Sequence, residues 1–185
     1  MRGVGRTEKD FIMIITAATL ADVEALCSLV NAAYRGDGGQ TGWTSEAGLV
    51  NGKRTNLTSL REMLTQGQAT VLLLRQQVGD TLIGCIAVQH QVDSCWYISM
   101  LAVDPQQQAA GLGRVLLTEA ENYARQRGAT SAKMTVVQVR ESLIAWYERR
   151  GYQRTGEIEP FPYEDESVGK PLRGDLHFVV LEKPL

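Results

Sequence analysis

The sequence has few cysteines and no excess of charge of either sign. Its three cysteines, Cys27, Cys85 and Cys95, form no CxxC or CxxxC pair, which argues against a disulfide framework and a cysteine-rich zinc site. Nineteen basic residues against 21 acidic residues give a net charge of −2, so the chain has no general attraction to nucleic acid or to an anionic membrane. We expect free, buried cysteines in a reducing compartment and no metal site.

Long apolar runs are also missing. No segment reaches the roughly 18 consecutive apolar residues that a membrane-spanning helix needs. The apolar stretch from Phe11 to Ala18 is short and leads into a helical pattern, which predicts a first strand and not a signal peptide. The expected location is therefore cytoplasmic, and neither a membrane nor a nucleic acid is expected as a partner.

The composition is that of an ordinary globular domain. The 185 residues are 44% hydrophobic and 22% charged, and no linker, internal repeat or low-complexity tract divides them. We therefore predict a single domain over residues 11–185, preceded by a frayed, charged terminus at residues 1–10. The sequence does not distinguish a homodimer from a monomer.

The period of the apolar residues changes along the chain. Helical spacing follows Thr19, where Thr19-x-x-Asp22 is typical of a capping box, and it returns from Leu57 to Leu64. The glycine-rich stretch between these helices, Gly36 to Gly52, predicts a loop. Further strands are predicted at 69–75, 81–89, 94–103, 131–139, 152–158 and 175–181, and further helices before Gly128 and Gly151. Periodicity alone thus predicts an α/β fold, a mixed sheet with helices on its faces.

The most informative stretch is a glycine loop between an apolar strand and a helix, Gln108-x-x-Gly111-x-Gly113-Arg114. Backbone N–H groups in the first turn of a helix have no intrahelical acceptor, and the helix dipole adds partial positive charge there. Glycines let a phosphate approach this backbone closely, and Arg114 would add a further donor. The loop predicts an anion site, with ordinary turn chemistry as the alternative.

The spacing of the loop disfavours nucleotide sites. A dinucleotide fingerprint needs a third glycine where this chain has Leu116. A Walker loop needs Gly-Lys-Ser/Thr, whereas Gly113 is followed by Arg114 and Val115. The same missing glycine argues against a nucleotide-dependent methyltransferase.

A second motif, Tyr147-x-x-x-Gly151-Tyr152, lies one strand and one helix after the glycine loop. Together with the Val-Asp-Pro before that loop, it makes the chain resemble the GNAT superfamily of acetyl-CoA-dependent N-acetyltransferases from about Phe11 to Leu181. The resemblance implies a mixed, mostly antiparallel sheet of about seven strands with helices on both faces. A splayed parallel pair, here Ser94–Val103 and Ser131–Val139, is implied at its centre.

The resemblance also implies acetyl-CoA as the co-substrate. Its pyrophosphate would lie on backbone amides of the glycine loop, and its pantetheine arm would pair with main-chain groups of the preceding strand. The implied cofactor-binding residues are Leu101, Ala102, Val103, Gln108, Ala109, Ala110, Gly111, Leu112, Gly113 and Arg114. Arg140 replaces an asparagine that is common in the family, and it either contacts the cofactor too or pairs with Glu141 or solvent.

The implied reaction is attack by a neutral acceptor amine on the thioester carbonyl. Tyr147 matches the family tyrosine that protonates the leaving sulfur, and the usual tyrosine pKa of about 10 keeps it a donor at neutral pH. Its structural alternative is an aromatic side chain packed on the sheet. Many members carry a glutamate on the strand corresponding to Ser94–Val103, but this strand has no acid. Glu46 is the candidate base, with His177 or a water chain as alternatives.

The acceptor site is expected at the loop between the first two helices. We assign Tyr34, Trp43, Glu46 and His177 to it. The 159–173 link, with Phe161, Tyr163 and the acids at 164–166, is expected to form the other wall, where these acids either favour a cationic amine or belong to the solvated surface. The predicted function is N-acetylation of a primary amine of a small molecule or a peptide in a ternary complex. The alternative is a non-catalytic acyl-CoA-binding or sensing protein of the same fold.

Overall fold

A computed structural model describes residues 13–36, 43–67, 69–76, 81–165, 167 and 169–185. The elements in chain order are β1 (Ile14–Ala17), α1 (Val23–Arg35), β2 (Val50–Asn51), α2 (Leu57–Thr65), β3 (Thr70–Arg75), β4 (Leu82–His90), β5 (Cys95–Val103), α3 (Leu112–Arg125), β6 (Ser131–Val137), α4 (Glu141–Glu148), β7 (Gln153–Pro160), β8 (Lys170–Pro171) and β9 (His177–Pro184). Short 3-10 turns at Leu20–Asp22 and Pro105–Ala110 precede α1 and α3.

Seven of these strands form one sheet in the order β1-β3-β4-β5-β6-β9-β7. All neighbours pair antiparallel except β5 and β6, which are parallel and lie near the middle. The strands β2 and β8 form a separate two-stranded sheet. The arrangement confirms the predicted mixed, mostly antiparallel sheet with a parallel pair at its centre.

Helices cover both faces of the sheet. Successive residues of a strand point to opposite faces, and in β3 the buried Leu72 and Leu74 belong to one apolar cluster while Val71 and Leu73 belong to another. The first cluster includes residues of α3 and α4, and the second includes residues of α1 and α2. The sheet is therefore buried from both sides, as the sequence predicts.

Local signals fix the starts of the first two helices. The Thr19 N–H donates to Asp22 Oδ2 at 2.8 Å, which confirms the capping box, and the Asn56 side chain accepts from the Ser59 N–H at 2.9 Å to cap α2. The predicted first strand is observed as β1, and its predicted start at Phe11 lies outside the described residues, as does the 1–10 terminus.

The cysteines are free, but they are not all buried. Cys85 is buried, whereas Cys27 and Cys95 are half-buried, so the expectation of three interior thiols holds for Cys85 only. Cys27 stays partly accessible because it lies at the edge of the α1–α2 cluster, where it packs as a partly buried side chain. In the described part of the chain, no helix is long and apolar enough to cross a membrane.

The central parallel strands separate soon after they meet. Only Cys95–Tyr97 of β5 are in register with Ser131–Lys133 of β6. Further along, β5 carries one extra residue against β4, since Ala87 pairs with Ser99 and Cys85 with Ala102, and Met100 has a φ of +52° there. Such a bulge bends its strand. The strands thus diverge beyond Tyr97 and leave a gap within the sheet.

We expect Gly84→Ala to destabilise the fold because β4 packs closely under α3. A Cβ at Gly84 would lie 2.7 Å from Leu116 Cδ1 and 3.2 Å from the Ala102 oxygen. Overpacking of this kind costs about 1–3 kcal/mol. The matched control is Gly174→Ala, where no atom lies within 4 Å of the added Cβ. Urea unfolding should show a lower midpoint for the first variant only, and equal midpoints would contradict the packing.

Candidate active site

The gap between β5 and β6 is a cavity of about 280 Å³, which we call the slot. It is polar on several sides and is closed at the paired end by the Tyr97 and Thr135 side chains, whose hydroxyl oxygens are 2.6 Å apart. Its lining includes Tyr34, Glu46, Arg54, Tyr97, Leu101, Thr135, Arg140, Leu143, Tyr147, Glu159 and Phe178. The slot thus brings together residues that are far apart in sequence.

Tyr147 projects from α4 into the slot. Its ring packs edge-on against Trp146 and Tyr152, at centroid distances of 4.9 and 5.8 Å. Burial raises the pKa of Tyr147 far above its ordinary value, and the neighbouring Tyr34 raises that pKa further. Its hydroxyl has no hydrogen-bond partner among the residues that the structure describes. Tyr147 is thus a protonated donor that faces a cavity.

Tyr34 and Glu46 form the wall opposite α4. The Tyr34 hydroxyl donates to the Leu101 carbonyl at 3.2 Å, and burial raises the pKa of Tyr34 well above its ordinary value. The Glu46 N–H donates to the Tyr34 carbonyl at 2.7 Å, and Arg35 donates to the Glu46 carboxylate at 2.5 Å. The three residues predicted to flank the reaction, Tyr34, Glu46 and Tyr147, therefore line the same cavity.

Arg140 lines the slot, and its guanidinium binds the main chain of the segment that precedes Glu46. It donates to the carbonyls of Trp43 and Thr44 at 2.5 and 2.8 Å. The alternative partner considered from the sequence, Glu141, instead forms an ion pair with Arg154 at 2.7 Å. Arg140 therefore fixes the segment that carries Trp43 to the start of α4.

A second cavity, of about 550 Å³, lies beside the glycine loop, and we call it the loop cavity. Its lining residues are Trp43, Gly111, Gly113, Arg114, Ser142, Leu143, Trp146 and Arg150. Gly111 has a φ of +70°, a left-handed conformation that glycine adopts without strain, and it caps the N-terminus of α3. Leu143 lines both the loop cavity and the slot, so the two cavities are neighbours.

Trp43 lies with the glycine loop and does not line the slot. A Cβ at Gly113 would come within 2.7 Å of Trp43 Cζ2, and the Trp43 and Trp146 ring centroids are 4.8 Å apart. The Arg150 guanidinium stacks 3.5 Å above the Trp146 ring. These contacts favour glycine at position 113, and they place the indole at the loop cavity, whereas the sequence suggested the acceptor site.

The loop cavity is suited to anions. Arg114 and Arg150 both line it beside the N-terminus of α3, where the helix dipole adds partial positive charge. Burial, Arg149 and Arg114 all lower the pKa of Arg150, which remains a cation. Its buried Nε has no hydrogen-bond partner among the described residues. A donor of this kind, near free helix amides, fits a phosphate group.

The remaining predicted residues lie elsewhere. His177 begins β9, and its N–H donates to Gln138 Oε1 at 2.9 Å, whereas the adjacent Phe178 lines the slot. Ala102 and Val103 are buried in β5. Glu164 and Asp165 are exposed and line neither cavity, and Glu166 lies outside the described residues. For Gln108, Ala109 and Ala110 the structure describes the backbone turn before α3 but not the side chains.

Several residues of the site were missed from the sequence. In the loop cavity they are Trp146 and Arg150, and in the slot they are Arg54, Tyr97, Glu159 and Phe178. Arg150 lies just beyond the end of α4 and four residues after Trp146, so a spacing of about one helical turn could have indicated the pair. Arg54 and Glu159 carry no such signal, because their position depends on how distant segments pack.

A family model described as an acetyltransferase (GNAT) domain matches residues 45–161 of the chain. This range contains both the glycine loop and Tyr147, and it covers more than half of the sequence. A comparison with the sequences of curated proteins found no significant match.

Solved structures share the fold over nearly the whole chain. The ribosomal-protein-alanine N-acetyltransferase of Brucella melitensis has 20% identity and a TM-score of 0.67, with 93% of this chain and 99% of that chain covered. The ribosomal-protein-S18-alanine N-acetyltransferase of Escherichia coli has 17% identity and a TM-score of 0.66, with 94% of each chain covered. The acetyltransferase yncA of Salmonella typhimurium, solved with its cofactor acetyl-CoA, has 19% identity and a TM-score of 0.67, again with 94% of each covered.

Proposed function

The chain belongs to the GNAT acetyltransferase family, and we propose that it moves an acetyl group from acetyl-CoA to a primary amine of a small molecule or a peptide. The observation that supports this most is the adjacency of two cavities. The slot contains the unpartnered Tyr147 hydroxyl, the loop cavity contains the glycine loop, and Leu143 lines both. A cofactor with phosphates in one cavity could thus present a reactive group in the other.

The residues of the loop cavity fit the phosphates of acetyl-CoA. When bound, this co-substrate supplies an acetyl group activated as a thioester, which an amine attacks at the carbonyl carbon while the sulfur leaves. Arg114, Arg150 and the first-turn amides at Gly111–Gly113 would neutralise the phosphate charge. The main chain at 101–103, on the strand that has parted from β6, is assigned to the pantetheine arm.

Tyr147 and Glu46 are assigned the two proton transfers. Because its raised pKa keeps Tyr147 protonated, its hydroxyl can donate to the departing sulfur. The Glu46 carboxylate, held at the slot wall by Arg35, would take the proton of the acceptor amine. Both groups line one cavity, so direct attack in a ternary complex needs no covalent enzyme intermediate.

The alternative is a non-catalytic acyl-CoA-binding protein of the same fold. It is favoured by the absence of any acid in β5 and by the ion pair that already occupies Glu46. A screen of amines with acetyl-CoA, followed by release of free thiol, separates the two functions. Thiol release that depends on the amine supports the transferase, whereas acetyl-CoA binding with no amine-dependent release supports the alternative.

We expect Gly111→Glu to weaken acetyl-CoA binding by roughly 100-fold or more, because two unit charges 4 Å apart repel by about 4 kcal/mol at an effective dielectric constant of 20. The matched control is Gly128→Glu at the other end of α3. Both glycines have a left-handed φ, +70° and +86°, and both have open space at the Cβ position. Calorimetry should show weak binding for the first variant only. Equal affinities in the two folded variants would remove the glycine loop from the cofactor site.

We expect Tyr147→Phe to lower kcat by roughly 10²–10⁴-fold, the usual effect of losing a positioned acid. The ring packing remains, so the fold and the acetyl-CoA affinity should survive. Tyr123→Phe is the control, since the Tyr123 hydroxyl contacts Thr70 outside both cavities. Steady-state rates under conditions where chemistry is limiting provide the measurement. Wild-type turnover in Tyr147→Phe would exclude the tyrosine as the acid.

We expect Glu46→Gln to reduce the rate most strongly at low pH, where few acceptor amines are neutral. Raising the pH should restore part of the rate, because bulk deprotonation then replaces the missing base. The measurement is a pH profile of kcat/KM for wild type, Glu46→Gln and the exposed-site control Glu119→Gln. A defect that is flat with pH and confined to the acceptor KM would place Glu46 in substrate binding only.

A further inference from the structure

Beside the slot lies a smaller cavity of about 140 Å³. Glu46, Arg54 and Phe178 line both cavities, so the two are neighbours. The smaller cavity, which we call the side pocket, is completed by Arg35, Val50, Phe161 and Pro162. A group that enters the side pocket therefore lies beside the proposed site of amine attack.

The side pocket has an aromatic and apolar part beside its charged residues. The Phe161 and Phe178 rings stack at 22° with their centroids 5.4 Å apart, and Val50 and Phe161 are buried in one apolar cluster. Pairing of β2 with β8 holds Val50 in place. A dry cavity of about 150 Å³ is large enough for benzene. The side pocket therefore fits one ring or a branched aliphatic group.

Arg54 lines both the slot and the side pocket. Arg35, its neighbour in the side pocket, forms an ion pair with Glu46 at 2.5 Å. No carboxylate of the described residues lies within ion-pair distance of Arg54, whose guanidinium lies 5.3 Å from the Tyr34 ring centroid. The planar guanidinium thus keeps donors for a carboxylate or phosphate, which it can bind with two parallel hydrogen bonds.

Hydrogen bonds from the Asn31 side chain hold the backbone at Arg54. Asn31 Oδ1 on α1 accepts from the N–H groups of Arg54 and Thr55 at 2.7 and 3.3 Å. Asn31 Nδ2 donates to the Thr55 carbonyl at 3.1 Å. The position of the arginine is therefore set by the scaffold, which lowers the entropic cost of binding an anion.

The slot also holds a negative charge without an ion-pair partner. Glu159 lines the slot, and no basic side chain of the described residues forms an ion pair with it. Arg54 and Glu159, which form no ion pair with the described residues, thus face a single cavity beside the side pocket. This set of groups is complementary to a zwitterion with an apolar substituent.

We propose that the acceptor is a free amino acid with an apolar side chain. Arg54 binds its carboxylate, the side pocket takes its side chain, and Glu159 attracts its ammonium group before deprotonation. The inference rests on the proposed function, and it makes Arg54 a residue that determines acceptor specificity. It also differs from the acidic rim expected from the sequence, which favoured a purely cationic amine.

The test compares matched acceptors. L-phenylalanine has both the carboxylate and the ring. L-phenylalaninamide has an uncharged amide in place of the carboxylate, and phenethylamine has neither carboxylate nor amide. L-alanine has the carboxylate but no side chain large enough to fill the side pocket. We expect wild-type kcat/KM for L-phenylalanine to exceed that for each of the other three by roughly 10- to 100-fold, the range for a charge-assisted hydrogen bond or a buried ring. Equal use of the amide or of phenethylamine by the wild-type enzyme would overturn the proposal.

Variants identify the residue responsible. Arg54→Gln should abolish the preference for L-phenylalanine over its amide through a higher KM for L-phenylalanine. Arg54→Lys should keep part of the preference, since it keeps the charge and loses the planar fork. Arg61→Gln, which removes an exposed arginine of α2, is the control and should keep the full preference. A preference that persists in Arg54→Gln overturns the assignment.

Binding provides a readout that does not need turnover. Calorimetry of L-phenylalanine with saturating coenzyme A should show binding to wild type and a loss of roughly tenfold or more in Arg54→Gln. If other amines release thiol but L-phenylalanine neither reacts nor binds, this proposal fails and the proposed function stands. If acetyl-CoA binds and no amine releases thiol, the proposed transferase function fails. If L-phenylalanine also fails to bind in that case, the specificity proposal is overturned as well.

Discussion

The early end of pairing between β5 and β6 is the constraint on which the rest of the structure depends. Both strands lie inside a sheet that is covered on both faces, where backbone groups need hydrogen-bond partners. The bulge at Met100 turns β5 away from β6 at a positive φ, a conformation that costs about 1–3 kcal/mol and persists where the surroundings enforce it. The fold thus maintains an opening in its centre, and the polar residues that carry chemistry gather around this opening.

The loop cavity and the slot differ in their charged and ionisable side chains. The loop cavity combines Arg114 and Arg150 with the N-terminus of α3, so both of its charged side chains are positive. In the slot, Arg35 neutralises Glu46, and burial keeps Tyr34 and Tyr147 protonated. The Tyr147 hydroxyl faces this cavity and has no hydrogen-bond partner among the described residues. The unpartnered Tyr147 hydroxyl is therefore a group whose acceptor would arrive with a ligand.

The sequence predicted those parts of the site that depend on local structure. The motif spacing indicated the glycine loop and Tyr147, and each lines one of the two cavities. The capping box at Thr19 followed from local spacing, whereas the parallel central pair was implied by the resemblance to the family. Trp43 was expected beside Glu46, but its ring packs between Gly113 and Trp146, a contact that no local pattern encodes. Arg54 was missed because its place is set by Asn31 on another helix.

The segment 43–46 connects the two halves of the site. Trp43 places its indole against Gly113, and Glu46 places its carboxylate in the slot. Arg140 donates hydrogen bonds to the carbonyls of Trp43 and Thr44. The buried Thr44 hydroxyl also donates to the Ala33 carbonyl at 3.3 Å, which ties the segment to α1. Four residues of chain thus join the indole at the glycine loop to the carboxylate in the slot. Direct attack, as proposed for this chain, depends on holding both reactants in one geometry, and a segment anchored to α1 and to Arg140 suits that requirement.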